Sequence, residues 1–228
     1  MSSEKVIFGC EGVQKSYGKK QVLKGVSFGA PSGKIIGLFG ANGSGKSTLF
    51  RILSGLEAEF QGKIVKWDFE DVAYMSIDNI YSPEMRVKDL VAFYKVFLPG
   101  QRTDWIYTQL QLAKISKNAM LSSLSTGMRQ YVKFLLTLYS GASVCLFDEP
   151  LLGLDVNYRG YVTDALIKEL NENRLFIIAT HEIKEMETLI DGFYILKNGK
   201  LSQYYETDEV VEQTGVSIGE FYKEKINA

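Results

Sequence analysis

The chain has 228 residues, 46% hydrophobic and 23% charged, a balance ordinary for a globular protein with a sizeable core. Its 26 basic and 27 acidic residues leave a net charge of -1, so no overall field recruits nucleic acid or an anionic membrane surface. Cys10 and Cys145 lie far apart in apolar or mixed stretches, which excludes a disulfide framework and points to reduced core thiols in a cytosolic protein. Residues 1–11 lack the charged-then-apolar order of a secretory leader, and no window approaches the ~18 apolar residues of a membrane span. If membranes matter here, another chain crosses them.

In chain order, residues 6–11 and 22–28 read as strands flanking the polar segment 15–20, an opening antiparallel hairpin. Residues 34–39 form a short apolar strand, followed by a Gly-rich loop and a helical pattern from Lys46 with Leu49, Ile52 and Leu53 on one face. From about Asp78 the spacing becomes helical, with Leu90, Phe93, Tyr94 and Phe97, then Trp105, Ile106 and Leu110, broken at Pro99-Gly100. This predicts a mostly helical lobe, residues 78–139, inserted into a single α/β domain. Residues 144–147 and 175–179 are apolar runs too short for helices and read as buried parallel strands, separated by an amphipathic stretch with Val162, Leu166 and Leu170. Residues 193–196 and 201–204 flank Asn198-Gly199, a strong hairpin turn. A polar helical tail from about Asp208 closes the chain, and packing is its expected role.

Gly40-Ala41-Asn42-Gly43-Ser44-Gly45-Lys46-Ser47 fits the pattern G-x-x-x-x-G-K-[ST] at every fixed place, directly after a strand and directly before a helix. The glycines let backbone N–H groups converge at a helix N-terminus, where a polyphosphate is held by main chain. Gly40, Asn42, Gly43, Ser44, Gly45, Lys46, Ser47 and the following Thr48 are the candidate nucleotide contacts. Lys46 would neutralise the β and γ phosphates, and the Ser47 hydroxyl would coordinate Mg²⁺. The bland alternative, a Gly-rich turn joining strand to helix, is disfavoured by the flanking elements.

Val144-Cys145-Leu146-Phe147-Asp148-Glu149-Pro150 is an apolar strand ending in two acids, and in open α/β sheets ligands sit at that C-terminal edge. Asp148 is placed to hold Mg²⁺, and Glu149 to orient and polarise an attacking water. Two solvated acids at a turn would be the alternative without the phosphate loop upstream.

Three further segments carry a family resemblance. Leu124-Ser125-Thr126-Gly127-Met128-Arg129-Gln130 resembles the ABC signature LSGGQ, Leu154-Asp155 resembles that family's D-loop, and Thr180-His181 resembles its switch histidine. With the phosphate loop and the paired acids, five motifs in the family's order span nearly the whole chain. The resemblance implies a P-loop NTPase parallel-sheet core with an N-terminal antiparallel β subdomain and an inserted helical lobe. It further implies ATP and Mg²⁺, and a head-to-tail dimer in which each ATP lies between one subunit's phosphate loop and the other's signature. Ser125 and the Gly127 backbone would then touch the γ-phosphate in trans, while Ser125 or Thr126 also caps the following helix. Asp155 belongs to the same set. His181, the chain's single histidine, would contact the γ-phosphate and hold Glu149 and the water in line. Tyr17 sits where the family commonly stacks an aromatic on adenine.

The chain departs from the family where a glutamine usually meets Mg²⁺ and water: direct alignment puts Ile77 there, which cannot ligate a metal; either Asp78 or Asn79 substitutes through a shift in register or the contact is absent, and Asp78 is the candidate carried forward. Thr126 replaces the first signature glycine and Met128 the glutamine, variants that resemble the drug, peptide and bacteriocin-immunity exporter branch. The expected activity is ATP hydrolysis driving a separately encoded integral membrane permease, with the chain on the inner face of the cell membrane, a second ATPase subunit beside it and no nucleic acid. A soluble ABC ATPase of the iron–sulfur assembly type is the alternative. A small-molecule kinase or GTPase would leave residues 124–130 and His181 unexplained, and the guanine-specific N-K-x-D is absent.

Overall fold

The computed structural model describes residues 8–65, 72–78, 81–97 and 102–227; Val6, Ile7, Asn79 and the Pro99-Gly100 break lie outside these. Strands β1 (Phe8–Tyr17) and β2 (Lys20–Ala30) pair antiparallel, and β4 (Gln61–Val65) adds to the other edge of β1. The hairpin turn is tighter than the polar segment 15–20 suggested. Lys15, Ser16 and Tyr17 continue the ladder opposite Leu23, Gln21 and Lys20, and Gly18 takes the positive φ of 56° that a short turn requires. Ser16 and Tyr17 are exposed, while Lys15 is buried against the Glu57 carboxylate and the Glu59 carbonyl, so none of the three breaks the strand.

The main sheet is ordered β10-β8-β3-β7-β6-β5, from β3 (Lys34–Phe39), β5 (Val72–Met75), β6 (Val144–Asp148), β7 (Leu175–Thr180), β8 (Gly192–Lys197) and β10 (Tyr205–Glu206). Strands β8, β3, β7, β6 and β5 run parallel; β10 and β9 (Lys200–Leu201) pair antiparallel with β8. Because side chains alternate along a strand, each buried strand feeds two cores. Ile36, Leu38, Val144, Leu146, Leu175 and Ile177 meet α1 (Lys46–Leu53) and the inner face of the antiparallel sheet, where Cys10, Val13, Leu23 and Val26 lie. Ile35, Phe39, Cys145, Phe147, Phe176 and Ile178 face the larger helical core. That double burial is why these strands read as continuous apolar runs. Both cysteines are free and buried, and burial pushes the Cys10 thiol up to about 12.

Between β5 and β6 run α2 (Val87–Phe97), α3 (Thr103–Leu112) and α4 (Thr126–Leu138); α5 (Val156–Glu169) crosses from β6 to β7. Leu90, Ile106 and Leu110 are buried as the helical spacing predicts, but Phe93 and Trp105 are half exposed. Trp105 instead packs under the Arg102 guanidinium, 4.6 Å from its ring centre. The turn at Asn198-Gly199 has φ of 53° and 78°, the doubly positive pair of a two-residue hairpin, though its second strand ends at Leu201.

The polar tail is two helices, α6 (Thr207–Thr214) and α7 (Ile218–Asn227), separated at Gly215 with φ 69°. Both carry a narrow apolar face: Val210, Ile218, Phe221 and Tyr222 join the helical core. Phe221 stacks edge-on to Tyr205 and Phe193, at 5.1 and 6.1 Å, and Tyr222 reaches Phe39 at the end of the central strand. Phe221→Ala should therefore cost about 3–5 kcal/mol, read by denaturant unfolding; a change below 1 kcal/mol would mean that α7 merely rests on the core.

Candidate nucleotide site

The site follows from strand order. With β7 between β3 and β6, the C-terminal ends of three parallel strands deliver the phosphate loop, Thr180-His181 and Asp148-Glu149 side by side. Phe39 stands opposite Thr180, and Ala179 opposite Asp148. Between β3 and α1, Gly43 and Gly45 have φ of 76° and 114°, conformations that L side chains rarely adopt. Gly40 is required for a different reason: a Cβ there would lie 2.5 Å from the Leu196 carbonyl oxygen and 2.6 Å from Ser44 Oγ. The loop ends as the N-terminus of α1, whose first amides lack partners within the helix. Ser44 Oγ is buried and has no hydrogen-bond partner among the described residues.

Lys46 curls back and donates to the Gly40 carbonyl at 2.7 Å, with its Nζ 3.5 Å from Glu149 Oε1. Both side chains are 6% exposed, so the pair is buried. Glu149 Oε1 also lies 2.8 Å from His181 Nδ1, while Oε2 accepts from the Thr180 hydroxyl at 2.9 Å and the His181 amide at 3.4 Å. The backbone of Glu149 is in the left-handed region, φ 51°, held by its own amide donating to Ala179 O and by Gln130 Nε2 donating to its carbonyl. Asp148 accepts from the Tyr74 hydroxyl at 3.3 Å. Burial holds its carboxyl above the usual range, and Glu149 adds to this, while hydrogen bonds from Ser47 and Tyr74 and the Lys46 charge pull the other way.

Tyr17, Lys46, Ser47, Thr48, Asn42, Gly43, Gly45, Asp148 and Glu149 line one cleft together with Lys20, Val22 and Ile77. Tyr17 is half exposed, its hydroxyl donates to Glu57, and Lys15 Nζ sits 4.8 Å from its ring centre. Asp78 is not on the cleft wall; Ile77 is. The Asp78 amide donates to Ser76 Oγ, closing a turn that carries the chain onward, and the Asp78 carbonyl is taken by Lys133.

Ser125, Gly127 and Asp155 form a second cluster, outside that cleft. Ser125 caps α4, its Oγ accepting from the Met128 amide, and Asp155 caps α5, its Oδ1 accepting from the Asn157 and Tyr158 amides. The two ends are packed together: a Cβ on Gly127 would lie 2.9 Å from the Gly153 carbonyl oxygen. Gln130, Lys133 and Tyr74 were not singled out by sequence, although a Gln and a Lys on the apolar face of an amphipathic helix were the available signal.

The residues fit a Mg²⁺–nucleotide complex. The loop is a cradle that a Cβ at position 40 would fill, an orphan hydroxyl lies in it, and Ser47 and Asp148 are hard oxygen donors of the kind Mg²⁺ takes singly alongside phosphate.

A family model described as ABC transporter matches residues 23–152. The chain belongs to the ABC transporter family. As an ABC ATP-binding chain it is similar to the xylose/arabinose import ATP-binding protein XylG of Sulfolobus acidocaldarius, at 30% identity over 94% of each chain. It is also similar to the Nod factor export ATP-binding protein I of Rhizobium etli, at 29% over 92% of this chain and 72% of that one. A solved structure titled as the ATP-binding subunit of an ABC transporter superposes with a TM-score of 0.84 at 21% identity, covering 96% of this chain and 98% of that one, a likeness of fold. ABC domains of this family bind and hydrolyse ATP in transporters.

The Asp148 shift has a measurable consequence. The ionised carboxylate is disfavoured in the folded state, so its penalty is absent below the unfolded pKa of about 3.9 and present once pH exceeds the higher folded value. Without nucleotide or Mg²⁺, Asp148→Asn should melt a few degrees above the parent at pH 7.5, with the margin closing as pH falls toward 4. A pH-independent margin would remove burial of the charge as its cause.

Proposed function

We propose that this chain is the motor of an exporting ABC transporter, pairing head-to-tail with a second ATPase subunit and driving a separately encoded membrane permease from the inner face of the membrane. The observation that carries it is the Glu149 carboxylate, buried beside Lys46 and held by Thr180 and His181 at the mouth of the phosphate loop. A carboxylate so held can accept a hydrogen bond from water in line with a bound γ-phosphate. The second cluster, Ser125 to Gly127, lies outside the cleft and presents a capped helix N-terminus. It is a half-site for nucleotide held by a partner.

In this mechanism Lys46 leaves the Gly40 carbonyl and Glu149 Oε1 for the phosphate oxygens, and the loop amides cradle the same anion. Loss of Lys46 frees Oε1 to orient water, while Thr180 and His181 keep the carboxylate from swinging. Asn42, Ser44 and Thr48 frame the triphosphate, and Tyr17 offers a ring face to the base. Ser47 and Asp148 would hold Mg²⁺, which when bound neutralises charge on the phosphates. We assign no metal role to Asp78, since Ile77 takes its place on the cleft wall. The whole chain acts as one cassette, with residues 78–139 as its helical lobe.

The relatives named above include an importer and an exporter. Export rests on Thr126 and Met128 in the signature segment. A separate permease is supported by the described residues, among which no helix is long and apolar enough to cross a membrane.

Glu149→Gln keeps the shape but loses the base, and puts a donating NH2 where one accepting carboxylate oxygen stood. It should lower kcat at least 100-fold, retain ATP binding, and give an ATP-dependent dimer by light scattering. Wild-type turnover in this variant would remove Glu149 from the mechanism, and a monomer at saturating ATP would remove the head-to-tail pair. Substrate uptake into inside-out vesicles of the co-purified permease complex would support export; dependence on a solute-binding protein would overturn it.

A further inference from the structure

Lys133 lies two turns into α4, 6% exposed, where a helix facing the core would carry an apolar residue. Its ammonium donates to three successive backbone carbonyls, Ser76 at 3.0 Å and Ile77 and Asp78 at 3.3 Å each. Its three protons thus have three acceptors. Among the described residues no carboxylate lies within ion-pair distance of it. Burial pulls its pKa down, and the more distant Asp78 and Asp148 charges oppose this. A desolvated cation without a counter-ion is costly, and three convergent carbonyl dipoles are what offset it.

These carbonyls belong to the segment leaving β5 at the edge of the nucleotide cleft, and the middle residue, Ile77, is on the cleft wall. One turn earlier on the same helix, Gln130 holds the Glu149 carbonyl. At its N-terminus the helix carries Ser125 and Gly127. One rigid helix therefore grips both borders of its own chain's cleft and ends in the surface offered to a partner's nucleotide.

We propose that Lys133 is a positioning residue that locks the 76–78 segment to the signature helix, so that the cleft wall and the trans half-site move as one body. This rests on the nucleotide-site reading above. Ile77 has no group with which to follow the metal or water, so the segment is steered from behind, through its carbonyls. Lys133 touches neither nucleotide nor the reacting atoms, and its effect is on turnover and closure, not on nucleotide capture.

The test compares Lys133→Met, which keeps length and burial but donates nothing, with Lys133→Arg, which restores donors to the same carbonyls. ATP affinity of the isolated chain is measured by calorimetry, kcat by phosphate release, and ATP-dependent dimerisation by light scattering in the Glu149→Gln background. The expected result for Lys133→Met is ATP affinity within twofold of wild type, kcat at least tenfold lower, and at least tenfold more ATP needed for dimerisation. Lys133→Arg should recover most of both losses. Unchanged kcat in Lys133→Met overturns the proposal, as does a parallel loss of affinity, turnover and thermal stability that Arg fails to restore. Should wild-type chain fail to bind ATP, the nucleotide-site reading falls instead, and that control is read first.

Discussion

The buried contact between Glu149 and its donors sets the rest of the molecule's constraints. A carboxylate 6% exposed is tolerable because Lys46, Thr180 and two groups of His181 surround it, and those donors come from two different strand ends. They converge only if β7 is threaded between β3 and β6, which in a parallel sheet requires crossovers through helices. The positive φ at Glu149 costs of order 1–3 kcal/mol and is over-determined by backbone bonds on both its sides. Strain, strand order and buried charge are thus parts of one arrangement.

The same pair explains how the cleft can respond to an anion. Lys46 is satisfied internally by the Gly40 carbonyl and by Glu149, contacts that an incoming triphosphate can replace with stronger charge-assisted ones. The cation exchanges partners and is never left unpaired. The loop itself stays put, because Gly40 is wedged against Leu196 and Gly45 against Leu23.

Much of this was legible in the sequence, for identifiable reasons. Strands buried on both faces are apolar throughout, so β3, β6 and β7 stood out, and the loop at 40–47 obeys a spacing set by backbone geometry that few other sequences satisfy. What sequence did not show was set by tertiary packing. Phe93 and Trp105 fell on a helical apolar pattern yet face solvent, Trp105 finding a guanidinium in place of a core. Strand β1 ran on through polar residues because Ser16 and Tyr17 face solvent and the buried Lys15 finds the Glu57 carboxylate and the Glu59 carbonyl. Gln130 and Lys133 fall on the apolar face of α4, but only the fold shows that they reach the Glu149 carbonyl and the 76–78 carbonyls. Asp78 was offered by the sequence as a substitute for a missing ligand; its amide donates to Ser76 Oγ, and it is Ile77 that lines the cleft.

The two clusters of chemistry on this chain are joined by a helix and a buried turn, not by a shared cavity. Ser125 and Gly127 start α4, Gln130 and Lys133 on its inner face hold the backbone of the cleft, and Gly127 packs on Gly153 beside the Asp155 cap. A displacement felt at the signature end would therefore reach Glu149 and Ile77 through hydrogen bonds to main chain, whose geometry is intolerant of slip. Side-chain-to-side-chain contacts would transmit the same movement loosely, since rotamers can absorb it. Backbone-anchored links of this sort suit the head-to-tail pairing proposed above, in which a movement at one half of the site is carried to the other.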